Sequence, residues 1–195
     1  MKGDPDMKRF VRCLFAVLMV LLLFVGCSEP QEENEEPSAP NRNAVLKAVL
    51  KGETEFYNFY QKTSMSVNAL PTLYDGKLRI VEFTVLDMDG DGVSEAVFQL
   101  GKGEDDYFGF LVLHVGQERV TGYEFSYRSL NELKADGTHT GSSGAAYSYT
   151  CRLAFDAKGL GYHHIQLDIS DEEQDAKKDA DWCDFTEAEI DRLLG

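Results

Sequence analysis

Basic residues are few in this chain. Its 195 residues include 19 Lys and Arg against 34 Asp and Glu, a formal net charge of −15. Nucleic acid is bound by clustered Lys and Arg, and anionic lipid surfaces by polybasic segments. The balance therefore excludes nucleic acid as a partner and excludes electrostatic docking on a membrane. Proline is scarce, at 5 residues, while apolar residues make up 43%. That is the composition of a globular domain rather than of a disordered chain. No apolar run reaches the roughly 20 residues a spanning helix needs. The longest, Cys13–Val25, has 13. No internal period of 20–50 residues is visible, so a complete propeller is not encoded here. The Gly-x-Ser-x-Gly frame of a nucleophile elbow is also absent, and Ser142-Ser143 does not supply it.

The short apolar run has a meaning of its own. Lys8, Arg9 and Arg12 precede it, as the basic region precedes the apolar core of a secretory signal. It ends Leu23-Phe24-Val25-Gly26-Cys27, which resembles the bacterial lipobox, where a small residue precedes a cysteine that receives lipid. The resemblance implies that residues 1–26 are a lipoprotein signal peptide. It also implies that Cys27 carries a palmitate-containing anchor on the extracytoplasmic face of the cell membrane. A plain signal peptide or a buried apolar helix are the alternatives. Met7-Lys8-Arg9 is a more ordinary start than Met1. Residues 27–43 follow as an acidic flexible tether, with Glu29, Glu32, Glu33, Glu35, Glu36, Pro30, Pro37 and Pro40. Removing Lys2, Lys8, Arg9, Arg12, Asp4 and Asp6 with the signal takes 19 bases to 15 and 34 acids to 32, about −17 in the mature chain. Residues 44–195 remain, ample for a single core.

Of the four cysteines, Cys13 leaves with the signal and Cys27 takes the lipid. Cys151 and Cys183 are an even pair in an exported domain: either one disulfide or two buried thiols. With no third or fourth ligand near them in the chain, they do not by themselves make a zinc site.

Within the domain, Asn43 is a helix cap, and Val45, Leu46, Val49 and Leu50 recur at helical spacing up to Gly52. Phe56, Tyr57, Phe59 and Tyr60 either continue that helix or begin an extended segment. Strands are predicted at Arg79–Leu86, Glu95–Leu100, Phe108–Val115 and Val120–Arg128, the last two joined by the hairpin turn at residues 116–119. Thr138–Ala146, rich in Gly, Ser and Thr, reads as a loop. Ser148–Phe155 and Tyr162–Ile169 form a second hairpin, and Thr186 with Glu189 is a capping box that opens a short last helix. The expected class is α+β: a predominantly antiparallel sheet of about six or seven strands, an N-terminal helix and a short C-terminal helix.

One segment carries chemistry. In Asp87-Met88-Asp89-Gly90-Asp91-Gly92-Val93-Ser94-Glu95, carboxylates fall at relative positions 1, 3, 5 and 9 with glycine at 6. Ca²⁺ takes six to eight oxygen ligands, and alternate residues of a tight loop turn oxygens inward. The expected ligands are Asp87, Asp89, Asp91, the carbonyl of Val93 and Glu95. An EF-hand would need a bidentate Glu at position 12, which is Phe98, and a helix on each side. The strand–loop–strand setting instead resembles the calcium loops of FG-GAP and VCBS repeats, with Glu in place of Asp at position 9. That likeness covers about 15 residues and implies a structural Ca²⁺. The same Asp87 and Asp89 also look like the first motif of haloacid-dehalogenase-type phosphatases, nucleophile then general acid. There Thr follows the Gly, where this chain has Asp91.

Across Ala48–Gly52, Leu86–Phe98, Gly122–Arg128 and Leu133–Thr138 the domain resembles bacterial surface lipoproteins. In them a Val-Leu helix precedes an Asp-x-Asp-Gly-Asp-Gly loop. The likeness implies fold and location, and no activity. Tyr123, Tyr127, Tyr147, Tyr149 and Tyr162 either pack in the sheet or line a carbohydrate-binding face. His163 and His164, adjacent on a strand, point to opposite faces. The function expected is a non-enzymatic, Ca²⁺-stabilised lipoprotein module that binds a protein or glycan at the cell surface. The alternative is a hydrolase whose site is assembled from distant residues.

Overall fold

The structure, a computed structural model, describes residues 39–144, 147–156, 158 and 160–195. The signal segment, Cys27 and the tether up to residue 38 lie outside the described residues. The element order is α1 (Ala39–Leu50), β1 (Phe56–Asn58), β2 (Thr63–Met65), a 3-10 turn (Val67–Thr72), α2 (Leu73–Gly76), β3 (Leu78–Leu86), β4 (Glu95–Lys102), β5 (Asp105–Val115), β6 (Val120–Ser126), β7 (His139–Gly144), β8 (Tyr147–Phe155), β9 (Tyr162–Gln166), α3 (Asp171–Asp175) and α4 (Glu187–Leu193). The class is α+β, as expected.

Two sheets form. The larger has the strand order β2-β1-β6-β5-β4-β3, and the smaller is the meander β7-β8-β9. All pairings are antiparallel except β1 with β6, where Tyr57 faces Thr121 in parallel register. The aromatic segment after Gly52 is therefore extended. Apolar residues occupy both faces of the central strands. Ala96, Phe98, Leu111 and Leu113 point into a core with Leu46, Val49 and Leu50 of α1 and Ile190 of α4. Val97, Phe110, Val112 and Tyr123 point into a second core with Leu130, Leu133 and Leu153 of β8. The large sheet is thus covered by helices on one face and by the small sheet on the other. Central strands buried on both faces read as continuous apolar runs rather than as an alternation. Hence Val120–Tyr123 is buried throughout.

Two local expectations change and one open alternative is decided. The first helix starts by Ala39, not after Asn43, because Asn43 has a distant partner: its Oδ1 accepts from Ser94 N–H at 3.2 Å. Residues 139–144 form β7 rather than a loop, held by antiparallel register with β8. The two cysteines are free thiols in separate places. Cys151 lies buried in β8. Cys183 pairs through its backbone with Phe83, N–H to carbonyl at 2.9 Å in both directions, extending the open edge of β3. The disulfide is not formed, because the two residues belong to different sheets. Thr186 caps α4 with its Oγ1 accepting from Glu189 N–H at 3.3 Å, but only this half of the expected capping box forms, and the Glu189 carboxylate pairs with Arg192. Lys47 and Lys51 of α1 reach Asp191 of α4 at 2.9 and 2.8 Å.

Candidate metal centre

Leu86 and Glu95 are register partners at the end of the β3–β4 hairpin, so residues 87–94 are its connection. A chain that reverses over so few residues must satisfy its own backbone donors, and the aspartates do this. Asp87 accepts from Gly90 N–H through Oδ1 (2.6 Å) and from Gly92 N–H through Oδ2 (3.0 Å). Asp89 Oδ1 accepts from Asp91 N–H at 3.1 Å, and Asp91 Oδ1 from Val93 N–H at 2.7 Å. Gly90 and Gly92 both sit at φ +85°, where a side chain would be strained. Gly92 therefore has the turning role its position suggests.

Glu95 is the residue that makes this more than a turn. It is 0% exposed. Its Oε2 accepts from Met88 N–H at 2.8 Å, and its Oε1 lies 2.9 Å from His114 Nδ1. Asp87, Asp89 and Glu95 each bring an oxygen within 4.8 Å of the others. Oxygens on opposite sides of one Ca²⁺ stand roughly 4.6–5.2 Å apart, twice the ligand distance, so the three fit within one coordination sphere. Asp91 does not join them: its Oδ2 reaches Arg42 of α1 at 3.5 Å. Val93 turns its side chain into the core. Arg42 and Asn43 together fasten the loop to the start of α1.

The electrostatics follow from burial. Desolvation raises Glu95 well above the usual carboxylate range, and the charges of Asp89, Asp91 and Asp87 add to it, against the bond from Met88 N–H. Asp89 is raised by burial and then by Asp91. Burial lowers His114 to about 4, and its ring stacks on Phe155 at 4.3 Å. Without a cation, burial therefore favours the neutral form of both Glu95 and His114. A divalent cation would supply the charge that lets Glu95 ionise.

A second constellation was not legible in the chain. His139 of β7 faces Cys151 of β8 in register, and His164 of β9 sits diagonally across. Cys151 Sγ lies 3.1 Å from His139 Nε2 and 3.5 Å from His164 Nδ1. His139 Nδ1 lies 3.2 Å from the carbonyl oxygen of Gly137 and donates to it, which leaves Nε2 as the unprotonated nitrogen. Burial lowers His139 to about 4 and raises the Cys151 thiol to about 11. A buried thiol held neutral is not an activated nucleophile. Gly137, at φ +79°, touches the acidic loop: a Cβ there would lie 2.6 Å from Met88 Cα.

The remaining candidates are placed as follows. Tyr123 is buried and Tyr162 packs on it at 5.2 Å, so both belong to the sheet interface. The side chain of Tyr147 lies outside the described residues. Tyr127 is exposed and, with Tyr107 and Trp182, borders an open groove of about 350 Å³ that Asn131 and Glu132 also line. The strands that flank Asp87 and Asp89 pair antiparallel, whereas the phosphatase likeness implies a parallel sheet. Among the described residues no helix is long and apolar enough to cross a membrane. Comparison with protein-family models, with curated proteins and with solved structures finds no match.

Proposed function

We propose that the chain is a non-enzymatic surface module, anchored by lipid on Cys27 outside the cell membrane and stabilised by one Ca²⁺ in the Asp87–Glu95 loop. The observation that carries the calcium reading is Glu95, a fully buried carboxyl that meets Asp87 and Asp89 within one coordination sphere. Ligands in this reading are Asp87, Asp89 and Glu95, with Asp91 and the Val93 carbonyl joining once Arg42 releases Asp91. The ion is structural. At ten times its dissociation constant it would add about 1.4 kcal/mol to stability. Calorimetric melting with and without Ca²⁺ tests it. The melting temperature should rise by a few degrees in the wild-type chain and stay put in Asp89→Ala. An equal rise in both removes the site.

The ligand of the module is a protein or glycan. The groove between Tyr107, Tyr127 and Trp182 favours a glycan, since exposed aromatic faces flanked by amide and carboxylate groups suit the apolar and hydroxylated sides of a sugar ring. A glycan array on wild-type and Trp182→Ala chains tests this half. The same glycans retained at the same strength in the variant would rule out the groove. Metabolic labelling with a palmitate analogue tests the anchor, which requires that Cys27→Ala lose the label.

A further inference from the structure

The Cys151, His139 and His164 side chains come from three different strands and converge on one point of the small sheet. From this geometry we infer that the β7–β8–β9 sheet binds one Zn²⁺ through Cys151 Sγ, His139 Nε2 and His164 Nδ1, with a fourth position open to solvent on the His164 side.

Distances support this assignment. With Zn–S about 2.3 Å and Zn–N about 2.0–2.1 Å, tetrahedral angles put a thiolate sulfur and an imidazole nitrogen on one ion about 3.5 Å apart. The sulfur–nitrogen separations here are 3.1 and 3.5 Å. All three ligand atoms lie within 4.8 Å of one another. The donor set of one thiolate and two imidazoles suits a borderline-soft divalent ion, not the hard cation of the acidic loop.

An independent observation lies behind the ligands. The carbonyl of Gly137 accepts from His139 Nδ1 at 3.2 Å, so Nε2 points its lone pair at the centre. Zinc-bound histidines usually have their second nitrogen held in this way. Exposure is graded as an open site needs. His139 and Cys151 are fully buried, while His164 is at the surface beside Tyr162, ring centroids 5.9 Å apart. On binding, the Cys151 S–H bond breaks, its proton passes to solvent, and a sulfur–zinc bond forms. No redox partner is required.

The test is a Co²⁺ titration of the full chain, reduced and in excess Ca²⁺ so that the aspartate loop does not compete. One equivalent should bind with a thiolate-to-cobalt charge-transfer band, and one equivalent of Zn²⁺ should displace it. Cys151→Ser should abolish the band, and Cys183→Ser should keep it. His164→Ala, at a surface position that the fold tolerates, should weaken binding by at least about tenfold and lose the rise in melting temperature that Zn²⁺ gives the wild type. Asp89→Asn should bind Co²⁺ as the wild type does, so this site and the calcium site stand or fall separately. No band, a band that survives Cys151→Ser, or full affinity in His164→Ala overturns the assignment. Any of these would leave the three side chains as a hydrogen-bonded group.

Discussion

Lowering the pH from 6.5 to 4 in EDTA should cost the fold about 3 kcal/mol through His139 alone. The ring is fully buried and its pKa falls from 6.5 to about 4, with burial the main cause. Below pH 6.5 the unfolded chain therefore binds a proton that the folded chain does not. Stability is at its full value above pH 6.5 and is lost as the pH falls toward 4. The span of 2.5 units at about 1.4 kcal/mol per unit caps the loss at about 3.5 kcal/mol, and partial protonation at both ends of the range brings it to about 3, a large fraction of a typical 5–15 kcal/mol. The ionisable groups facing the ring are Cys151 at 3.1 Å and His164 at a ring separation of 5.7 Å. The Cys151 thiol stays neutral throughout this range. His164, also lowered by burial, acts in the same direction. Buried Glu95, raised instead of lowered, acts oppositely, so the absolute slope mixes several groups. The difference between two chains isolates the one of interest. His139→Asn keeps a side-chain N–H for the Gly137 carbonyl and removes the titration. Urea unfolding of both chains at half-unit steps from pH 4.5 to 7 reads the slopes. Between pH 4.5 and 6 the wild-type slope should exceed the variant's by about 1 kcal/mol per pH unit. Equal slopes would refute the reasoning, whatever the absolute stability of either chain.

Three further outcomes can be checked on the same purified chain. Gly137→Ala should lose about 2–5 kcal/mol in urea unfolding, since the residue sits at φ +79° and its Cβ would overlap Met88. Glu95→Gln reproduces the neutral carboxyl, accepting from Met88 N–H and donating to His114. Its metal-free melting temperature should equal or exceed the wild type's, while the calcium-induced rise disappears. Phe98→Ala should cost about 3–5 kcal/mol by chemical denaturation, because the ring is fully buried with Phe83 at 6.0 Å and Phe185 at 5.1 Å.

What could be read from the chain was what neighbouring residues decide. Strands β3 to β6 were legible because apolar runs meet turn residues at hairpin spacing, and Gly116 N–H does bond Arg119 O at 3.0 Å. Strand β7 was not legible. Its Gly, Ser and Thr residues have little preference of their own, and pairing with β8 is what extends them. Asn43 looked like a cap because its side chain suits one, yet its partner is Ser94, 51 residues on. The same division runs through the site. The aspartate spacing is local and was visible. The bond from Glu95 to His114 spans 19 residues and depends on the β4–β5 register. His139, Cys151 and His164 are separated by 12 and 13 residues, each on its own strand, and only the order of the small sheet brings them together.

The close approach at Gly137 joins two regions that the topology otherwise keeps apart. Its Cα side rests on the backbone of Met88 and Asp87, and its carbonyl oxygen holds the ring of His139. One peptide unit therefore sets the spacing between the acidic hairpin and the imidazole that faces Cys151. Any side chain at 137 would force one of them to move, so the missing Cβ at this residue is what lets the acidic hairpin and the small sheet meet so closely.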